Sequence, residues 1–534
     1  MKRAGFQNTL TKRLLMINDT TTQPISPLGR LGLLITVIIS GASVMVIELL
    51  GTRLIAPFYG TSLYVWSSLI SVTMVALTLG YFIGGRWADS AKRTGLSLII
   101  ALAAFLTLMI PWLTRPVLLA TDSFGLRGGA FLSALILFLP SLMMLGMVSP
   151  FAIKLSTSQL NNVGNSSGTI YAVSTLGSVF GTLILGLFLF PLFGSREILI
   201  ATGLVLFILS LAIGLVERKQ LQSVATLLPS VALVVLGLAF LPSVVKAGQV
   251  RPNEKFNVLF EQESLYGWVR VIDVAGRDLR LLTSDGSAIG AASIKTGESQ
   301  LSYQDIVGLI PALRPEMKKA LIVGLGAGHM AKVLNDRYGI IVDTLEIDPA
   351  VAQAAVDYFG FKPTGKAIVG DARYEIRHLT GQYDLIIHDC FTGGSEPAHL
   401  LTVETLKQLQ GLLTEQGILA VNFVAFADGK QSALNTVSKT LAQVFPQQTT
   451  FISEPNKDFN DFIFLASTQP VDIHNERLKV EQQAWLQNRL FPIENKDGVI
   501  LTDNFNPLEH LQIAKAEKYR HFLMDMFGEE LFVR

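Results

Sequence analysis

The chain has 534 residues, 50% of them hydrophobic and only 16% charged, with a mean hydropathy of +0.45. That composition excludes a protein that is soluble throughout. Charge divides unevenly: residues 31–250 hold 11 Lys/Arg and 5 Asp/Glu, whereas residues 251–534 hold 27 and 36, a net of −9. The acidic second half argues against a nucleic-acid partner and suits a cationic one, and a single cysteine, Cys390, excludes an intramolecular disulfide and a cysteine-based zinc site.

Residues 1–30 are polar and Thr-rich with no cleavable signal pattern, and read as a disordered cytosolic tail. Seven weakly charged stretches follow, near 31–50, 65–85, 96–119, 130–153, 169–192, 198–216 and 224–245. Each approaches the roughly 20 helical residues that cross about 30 Å of hydrocarbon, so residues 31–250 are expected to form a helical bundle in a lipid bilayer, kinked at Pro111, Pro140 and Pro229. Lys2, Arg3, Lys12, Arg13, Arg30, Arg86, Lys92, Arg93, Lys154, Arg218 and Lys219 outweigh Arg53, Arg115, Arg127 and Arg196 on the other side, which puts the tail in the cytosol of an inner-membrane protein. With seven spans the second half then lies outside. Its chemistry favours the cytosol, a conflict relieved if the last stretch, with Pro229 and Pro242, is re-entrant. Glu48, an acid in an apolar helix, is expected to pair with Arg53 at the interface, the alternative being a site for a cationic polyamine. Residues 80–95, GYFIGGRWADSAKRTG, resemble the loop between the second and third helices of major facilitator transporters through Gly84, Arg86, Asp89, Lys92 and Arg93.

From residue 251 to 318 short alternating runs at 258–260, 267–273 and 278–283, with Asp285-Gly286 as a turn, predict a small β-subdomain. From 319 to 534 strands alternate with helices: LIVGLG, a helix from His329, VDTLEID, a helix from Pro349, AIVGD, YDLIIHD and ILAVNF. This pattern predicts a doubly wound, Rossmann-like α/β domain whose ligand lies at the carboxyl ends of its strands. Gly324, Gly326 and Gly328 follow the first strand, Glu346 ends the second eighteen residues after Gly328, Asp371 follows the third and Asp389 the fourth. Each acid alone reads equally as a helix cap or a solvated loop residue. As a set at successive strand ends they point to a nucleoside, with Glu346 accepting from ribose hydroxyls. His378, His388 and His399 lack metal-ligand spacing, no metal is expected, and strand alternation turns His388 away from Asp389.

These residues, with the segment Leu301-Ser302-Tyr303-Gln304-Asp305 and Leu309-Ile310-Pro311-Ala312-Leu313, resemble the spermidine synthase family of polyamine aminopropyltransferases over residues 256–465, and more closely a membrane-fused branch of it. The resemblance implies that Gln304 touches the nucleoside, Glu346 the ribose, and Asp371 with Ala372 the adenine, while Asp389 is the catalytic aspartate and Tyr303 stands beside the acceptor amine. It implies decarboxylated S-adenosylmethionine as co-substrate and an amine such as putrescine as acceptor; a homodimer is left open. The chain departs from the family at Ala327 and Thr392, where soluble members carry aspartates, and in lacking a tyrosine near 459–462. Asp503, in a tail segment common in the fused branch, is expected to return as an acceptor-binding carboxylate, the alternative being a capping turn. Two other functions compete. One is an S-adenosylmethionine-dependent methyltransferase, favoured by Ala327 in the glycine loop; the other is a polyamine transporter or sensor with a ligand-binding synthase-like half.

Overall fold

The structure, a computed structural model, describes residues 27–534 apart from 61, 91–94, 158–162, 222–226, 248–254, 315, 392–393, 428–431, 494–496, 530–531 and 534. Most of the expected tail, and Lys92, Arg93 and Thr392, lie outside the described residues. The first helix already begins at Pro27. The bundle consists of α1 (Pro27–Tyr59), α2 (Leu63–Ser90), α3 (Leu96–Thr121), α4 (Gly125–Ser156), α5 (Val163–Ile184), α6 (Ser195–Leu221) and α7 (Leu228–Ala247). Among the described residues they form six stretches long and apolar enough to cross a membrane, because the 61-residue stretch Leu96–Ser156 contains both α3 and α4, joined by the turn Asp122–Phe124. The last stretch is not broken into two half-helices. α7 is one unbroken helix of 20 residues, about 30 Å long at 1.5 Å per residue, with Pro229 in the first turn where its missing N–H breaks no bond.

Two features of the bundle differ from expectation. Arg53 does not pair with Glu48; it donates to the carbonyls of Ser264, at 2.6 Å, and Leu265, and lies over the Phe190 ring. The buried acid with a clear structural task is Glu217, which accepts from the backbone N–H groups of Leu96 (3.1 Å) and Ser97 (3.3 Å). It thereby satisfies orphan donors at the N-terminus of α3. The glycines in the transporter-like segment serve packing: a Cβ on Gly80 would stand 2.4 Å from the Met143 carbonyl oxygen, and one on Gly84 2.7 Å from Met147 Cα. Small residues let α2 and α4 approach closely.

After the bundle comes a four-stranded antiparallel sheet, β1 (Phe256–Glu263), β2 (Trp268–Val274), β3 (Arg280–Ser284) and β4 (Ser287–Ala292), paired in chain order. Asp285-Gly286 forms the β3–β4 turn, with Asp285 at φ 49°. The helix α8 (Tyr303–Val307) leads into a seven-stranded sheet of β5 (Lys319–Val323), β6 (Ile341–Glu346), β7 (Ala367–Val369), β8 (Tyr383–His388), β9 (Leu413–Phe426), β10 (Gln447–Ile452) and β11 (Phe459–Ser467), ordered β10-β11-β9-β8-β5-β6-β7. The pairs β5–β6, β6–β7, β5–β8 and β8–β9 are parallel, while β11 runs antiparallel to β9 and β10. Apolar runs such as Ala320–Val323, all at most 1% exposed, suit strands buried on both faces. Around them lie α9 (His329–Tyr338), α10 (Pro349–Phe359), α11 (Ala372–Glu375), α12 (Val403–Gly411) and α13 (Ser432–Leu441). The antiparallel β10–β11 pair and a C-terminal helix, α14 (Ile513–Phe527), were not legible in the alternation of strands and helices.

The two halves meet at one end of the bundle. Arg520 of α14 donates to Asp122 Oδ1 at 2.6 Å, His521 Nε2 lies 3.2 Å from Asp122 Oδ2, the Tyr64 hydroxyl is 3.0 Å from His510 Nδ1, and Glu263 accepts from Ser195 N at 3.0 Å. Those bundle residues sit at the end of α3 and the starts of α2 and α6. Arg86, Lys154 and Arg218 occupy the opposite helix ends. Arg520 is 5% exposed, and leaving a charge unpaired there costs on the order of 3 kcal/mol. Arg520→Met should lower the thermal unfolding midpoint of the full chain in detergent and speed proteolysis within α14.

Candidate active site

The site forms where the order of the parallel strands reverses, between β5 and β8. Val323 and His388 are register partners at the strand ends, and Asp389 N donates to the Val323 carbonyl at 2.9 Å. The chain leaving β5 is thus held against the chain leaving β8. Gly324, at φ +95°, has no Cβ; one built there would lie 2.2 Å from the Asp389 carbonyl oxygen. A Cβ on Gly326, at φ +53°, would lie 2.6 Å from the Ile289 carbonyl oxygen of β4. The glycine loop therefore touches both sheets at once. Gly328 occupies the position just before α9.

Glu346 fixes the loop from the second strand. Its Oε2 accepts from Leu325 N at 3.1 Å and its Oε1 from Asp348 N at 3.0 Å. Burial, opposed by those backbone donors, pushes its carboxyl up to about 7. Asp371 caps α11, accepting from Arg373 N (2.7 Å) and Tyr374 N (3.2 Å), with Ala372 as the first helical residue. The capping role considered for a single acid is thus realised at Asp371, which remains exposed beside the third strand end.

At the fourth strand end the chemistry-bearing side chains converge. The Tyr303 hydroxyl donates to Asp389 Oδ2 at 2.7 Å, and Gln304 Nε2 donates to that hydroxyl at 3.3 Å. Asn422 of β9 donates through Nδ2 to Asp389 Oδ1 at 2.8 Å and reaches Asp461 Oδ1 of β11 at 3.4 Å. Burial raises both acids, Asp461 to about 7, with the neighbouring Asp389 charge adding to its shift. Burial and the Asp389 charge together hold Tyr303 protonated. The result is a hydrogen-bonded row, Gln304–Tyr303–Asp389–Asn422–Asp461, with two carboxyl groups and, among the described residues, no cation hydrogen-bonded within it. Such a row favours an incoming ammonium group and can take its proton. His388 is fully buried, and burial lowers it to about 4, which keeps it neutral.

Asp503 lies elsewhere. It forms an ion pair with Arg373 and accepts from Thr402 Oγ1 at 2.8 Å, while its backbone N–H donates to Glu404. Its recorded contacts bind the tail to α11 and α12, not to Asp389. The tail element that does come to the row is α14. Lys515, 3% exposed, pairs with buried Glu396 and lies over the Phe423 ring at 4.7 Å; Tyr519 meets Phe391 edge-on at 5.2 Å and Phe459 at a tilt at 6.0 Å. Sequence reasoning missed Asn422, Asp461, Glu396, Lys515 and Tyr519. The signal for the first two was a polar residue inside an apolar strand, where polar groups are rarely buried without partners.

No family model matches the chain. The polyamine aminopropyltransferase of Vibrio vulnificus (strain CMCP6) is 30% identical over 283 residues, covering 48% of this chain and 91% of that protein. The chain belongs to the polyamine aminopropyltransferase family. By that membership it is an enzyme of the aminopropyltransferase class. An N-terminal histidine N-methyltransferase of Emericella nidulans is 28% identical over 324 residues, 52% of this chain and 58% of that protein, so the chain spans little more than half of that relative. The crystal structure of spermidine synthase from Thermotoga maritima matches 45% of this chain and 81% of that one at 19% identity, with a TM-score of 0.35.

Among aminopropyltransferases the substitution at Ala327 has a local cause here. Ala327 is 5% exposed in an apolar cluster with Val269, Leu282 and Val351, and a Cβ on Gly290 would already stand 2.7 Å from its own Cβ. An aspartate at this position would place its carboxylate among apolar neighbours.

Two measurements check the site. Gly324→Ala should weaken binding of methylthioadenosine, used as a nucleoside probe, by at least about tenfold, because the added methyl collides with backbone. Ribose hydroxyls, were they to donate to Glu346, would favour its charged form. Probe affinity should therefore be full above about pH 7 and fall by up to about tenfold per pH unit below it, a slope that Glu346→Gln removes.

Proposed function

We propose that the protein transfers an aminopropyl group from decarboxylated S-adenosylmethionine to an amine such as putrescine, on a domain held to a lipid bilayer by its helical bundle. The observation that supports this best is the Tyr303–Asp389–Asn422–Asp461 row beside the glycine loop. Gly324, Gly326, Gly328 and Glu346 would hold the nucleoside, with Asp371 and Ala372 at the adenine end and Gln304 beside the reacting centre. The acceptor arrives as an ammonium, its pKa near about 10.4 by analogy with lysine. Asp389, oriented by Tyr303 and Asn422, takes its proton. The freed nitrogen lone pair attacks the propyl carbon in line; the new C–N bond forms as the C–S bond breaks, and methylthioadenosine leaves with the sulfur's electron pair. Asp461 stands where the tyrosine expected near 459–462 is missing and supplies the second carboxylate for the acceptor.

Methyl transfer from S-adenosylmethionine is the second reading. Ala327 favours it, since an acid in the glycine loop would repel the carboxylate of that donor, and the Emericella nidulans relative carries a methyltransferase name. Incubating the purified protein with each labelled donor and a diamine decides between the two. Methylthioadenosine with a lengthened amine is expected; S-adenosylhomocysteine with a methylated product would overturn the aminopropyl reading. Asp389→Asn should lower kcat at least about a thousandfold, as loss of a general base does, while the nucleoside Kd stays within about threefold.

Asp461→Asn should raise the acceptor KM and also stabilise the fold at pH 8. The wild-type acid titrates near 7 in the folded chain against an ordinary 3.8, so its charged form is disfavoured above about 7. The variant's stability advantage should shrink steadily as pH falls from there toward 3.8.

We place the catalytic half in the cytosol of an inner-membrane protein because both donors are cytosolic metabolites. Seven helices with Arg86, Lys154 and Arg218 at the ends away from that half favour the outer side. A reporter fused after the C-terminus that is active only outside the cytosol would reject the cytosolic placement.

A further inference from the structure

A cavity of about 220 Å³ lies on the seam between the bundle and the β1–β4 sheet, outside the catalytic row. It is bounded by Arg53 and Trp66 from the bundle and by Glu263, Tyr266, Trp268 and Asp285 from the sheet domain. At about 30 Å³ per water, that volume equals roughly seven waters, ample for a short aliphatic amine.

The charges around the cavity are unequally committed. Arg53 directs its donors to the Ser264 and Leu265 carbonyls and stacks on Phe190. Glu263 accepts from Ser195 N and Ser195 Oγ at the start of α6. Asp285 is different. It is 4% exposed, and its Oδ1 accepts from Trp268 N at 2.8 Å, while among the described residues no hydrogen bond to Oδ2 is recorded. Burial raises its carboxyl to about 6, with the more distant Arg53 and Arg270 charges opposing the rise, so it is mainly a carboxylate at neutral pH. The Trp268 ring already carries the buried Arg270 guanidinium at 3.5 Å, leaving Trp66 and Tyr266 as the other aromatic lining; a buried carboxylate with a free oxygen beside such rings recognises an organic ammonium through a charge-assisted hydrogen bond and cation–π contact.

We propose that this seam cavity binds a primary alkylammonium group, at a site separate from the catalytic pocket. Its contacts come from both halves of the chain, so the bound amine bridges bundle and sheet domain. A free diamine and the headgroup of an amine-bearing lipid present the same ammonium chemistry at these helix ends. The site does not depend on the transfer reaction assigned to the other pocket.

Asp285→Asn is the informative variant, because asparagine accepts φ near 49° as readily as aspartate and keeps an oxygen for Trp268 N. The full-length chain in detergent is dialysed against labelled 1,4-diaminobutane, beside the Asp285→Asn, Trp66→Leu and Asp389→Asn variants. In parallel the wild type and Asp285→Asn are reconstituted into nanodiscs with or without ethanolamine lipid, and retained lipid is measured by native mass spectrometry. The expected result is a class of bound ammonium, diamine or ethanolamine lipid, weakened at least about tenfold by Asp285→Asn. Where the diamine is the occupant, Trp66→Leu weakens it likewise and Asp389→Asn leaves it intact. Binding of the diamine alone identifies a soluble ligand, and retention of the lipid alone identifies a headgroup. If neither ligand's binding changes on Asp285→Asn, the proposal is overturned. Asp389→Asn reports separately on the catalytic pocket, so a chain that transfers nothing still gives a readable answer.

Discussion

The close approach of two backbones at the β5–β8 strand ends governs the rest of the catalytic half. Gly324 can lie against the Asp389 carbonyl only because it has no side chain, and that contact fixes the spacing between the glycine loop and the acid at the fourth strand end. Glu346 then ties the loop to the second strand through Leu325 N, and Gly326 seats the loop on β4. The spacing between the glycine loop and the row of acids is thereby set by main-chain geometry. Side chains need only complete the site, as expected where a doubly wound sheet reverses its strand order.

Desolvation supplies the chemistry. Glu346, Asp389 and Asp461 all sit where burial disfavours their charged forms, so each is strengthened as an acceptor for the first donor or cation to enter. Glu396 presents the contrast: more deeply buried than these three, it already has Lys515 and Gln512 as partners, together with the Val424 backbone N–H. One acid is thus committed to holding α14 in place while its neighbours remain available to a ligand. A buried pair of this kind adds little net stability, but removing one member is costly.

Much of this site was legible because parallel strand ends converge whatever the loops between them do. The glycines, Glu346, Asp371 and Asp389 could be read from their positions after successive strands, and Tyr303 and Gln304 from the family's pattern. Asn422 and Asp461 could not, because their meeting depends on β9 and β11 running antiparallel. That register pairs Asn422 with Ile463 and Asp461 with Val424, leaving the two polar residues diagonal to each other. Asp503 was misjudged for a related reason: composition does not give the path of a tail, and the tail passes α11 and α12 before α14 brings Lys515 and Tyr519 to the row. In the bundle, apolar runs located the helices well, but Glu217 as a helix cap and Arg53 as a bridge to the sheet domain depend on neighbours far away in sequence.

The C-terminal helix touches both ends of this system. Within six residues, Lys515 is paired with Glu396, which also accepts from Val424 N of β9, and Arg520 with the α3–α4 turn of the bundle, and a helical segment that short transmits displacement almost without bending. Linkage is reciprocal: if a rearrangement of the bundle that shifts Asp122 changes the free energy of ligand binding beside Glu396, then ligand binding biases that rearrangement by the same amount.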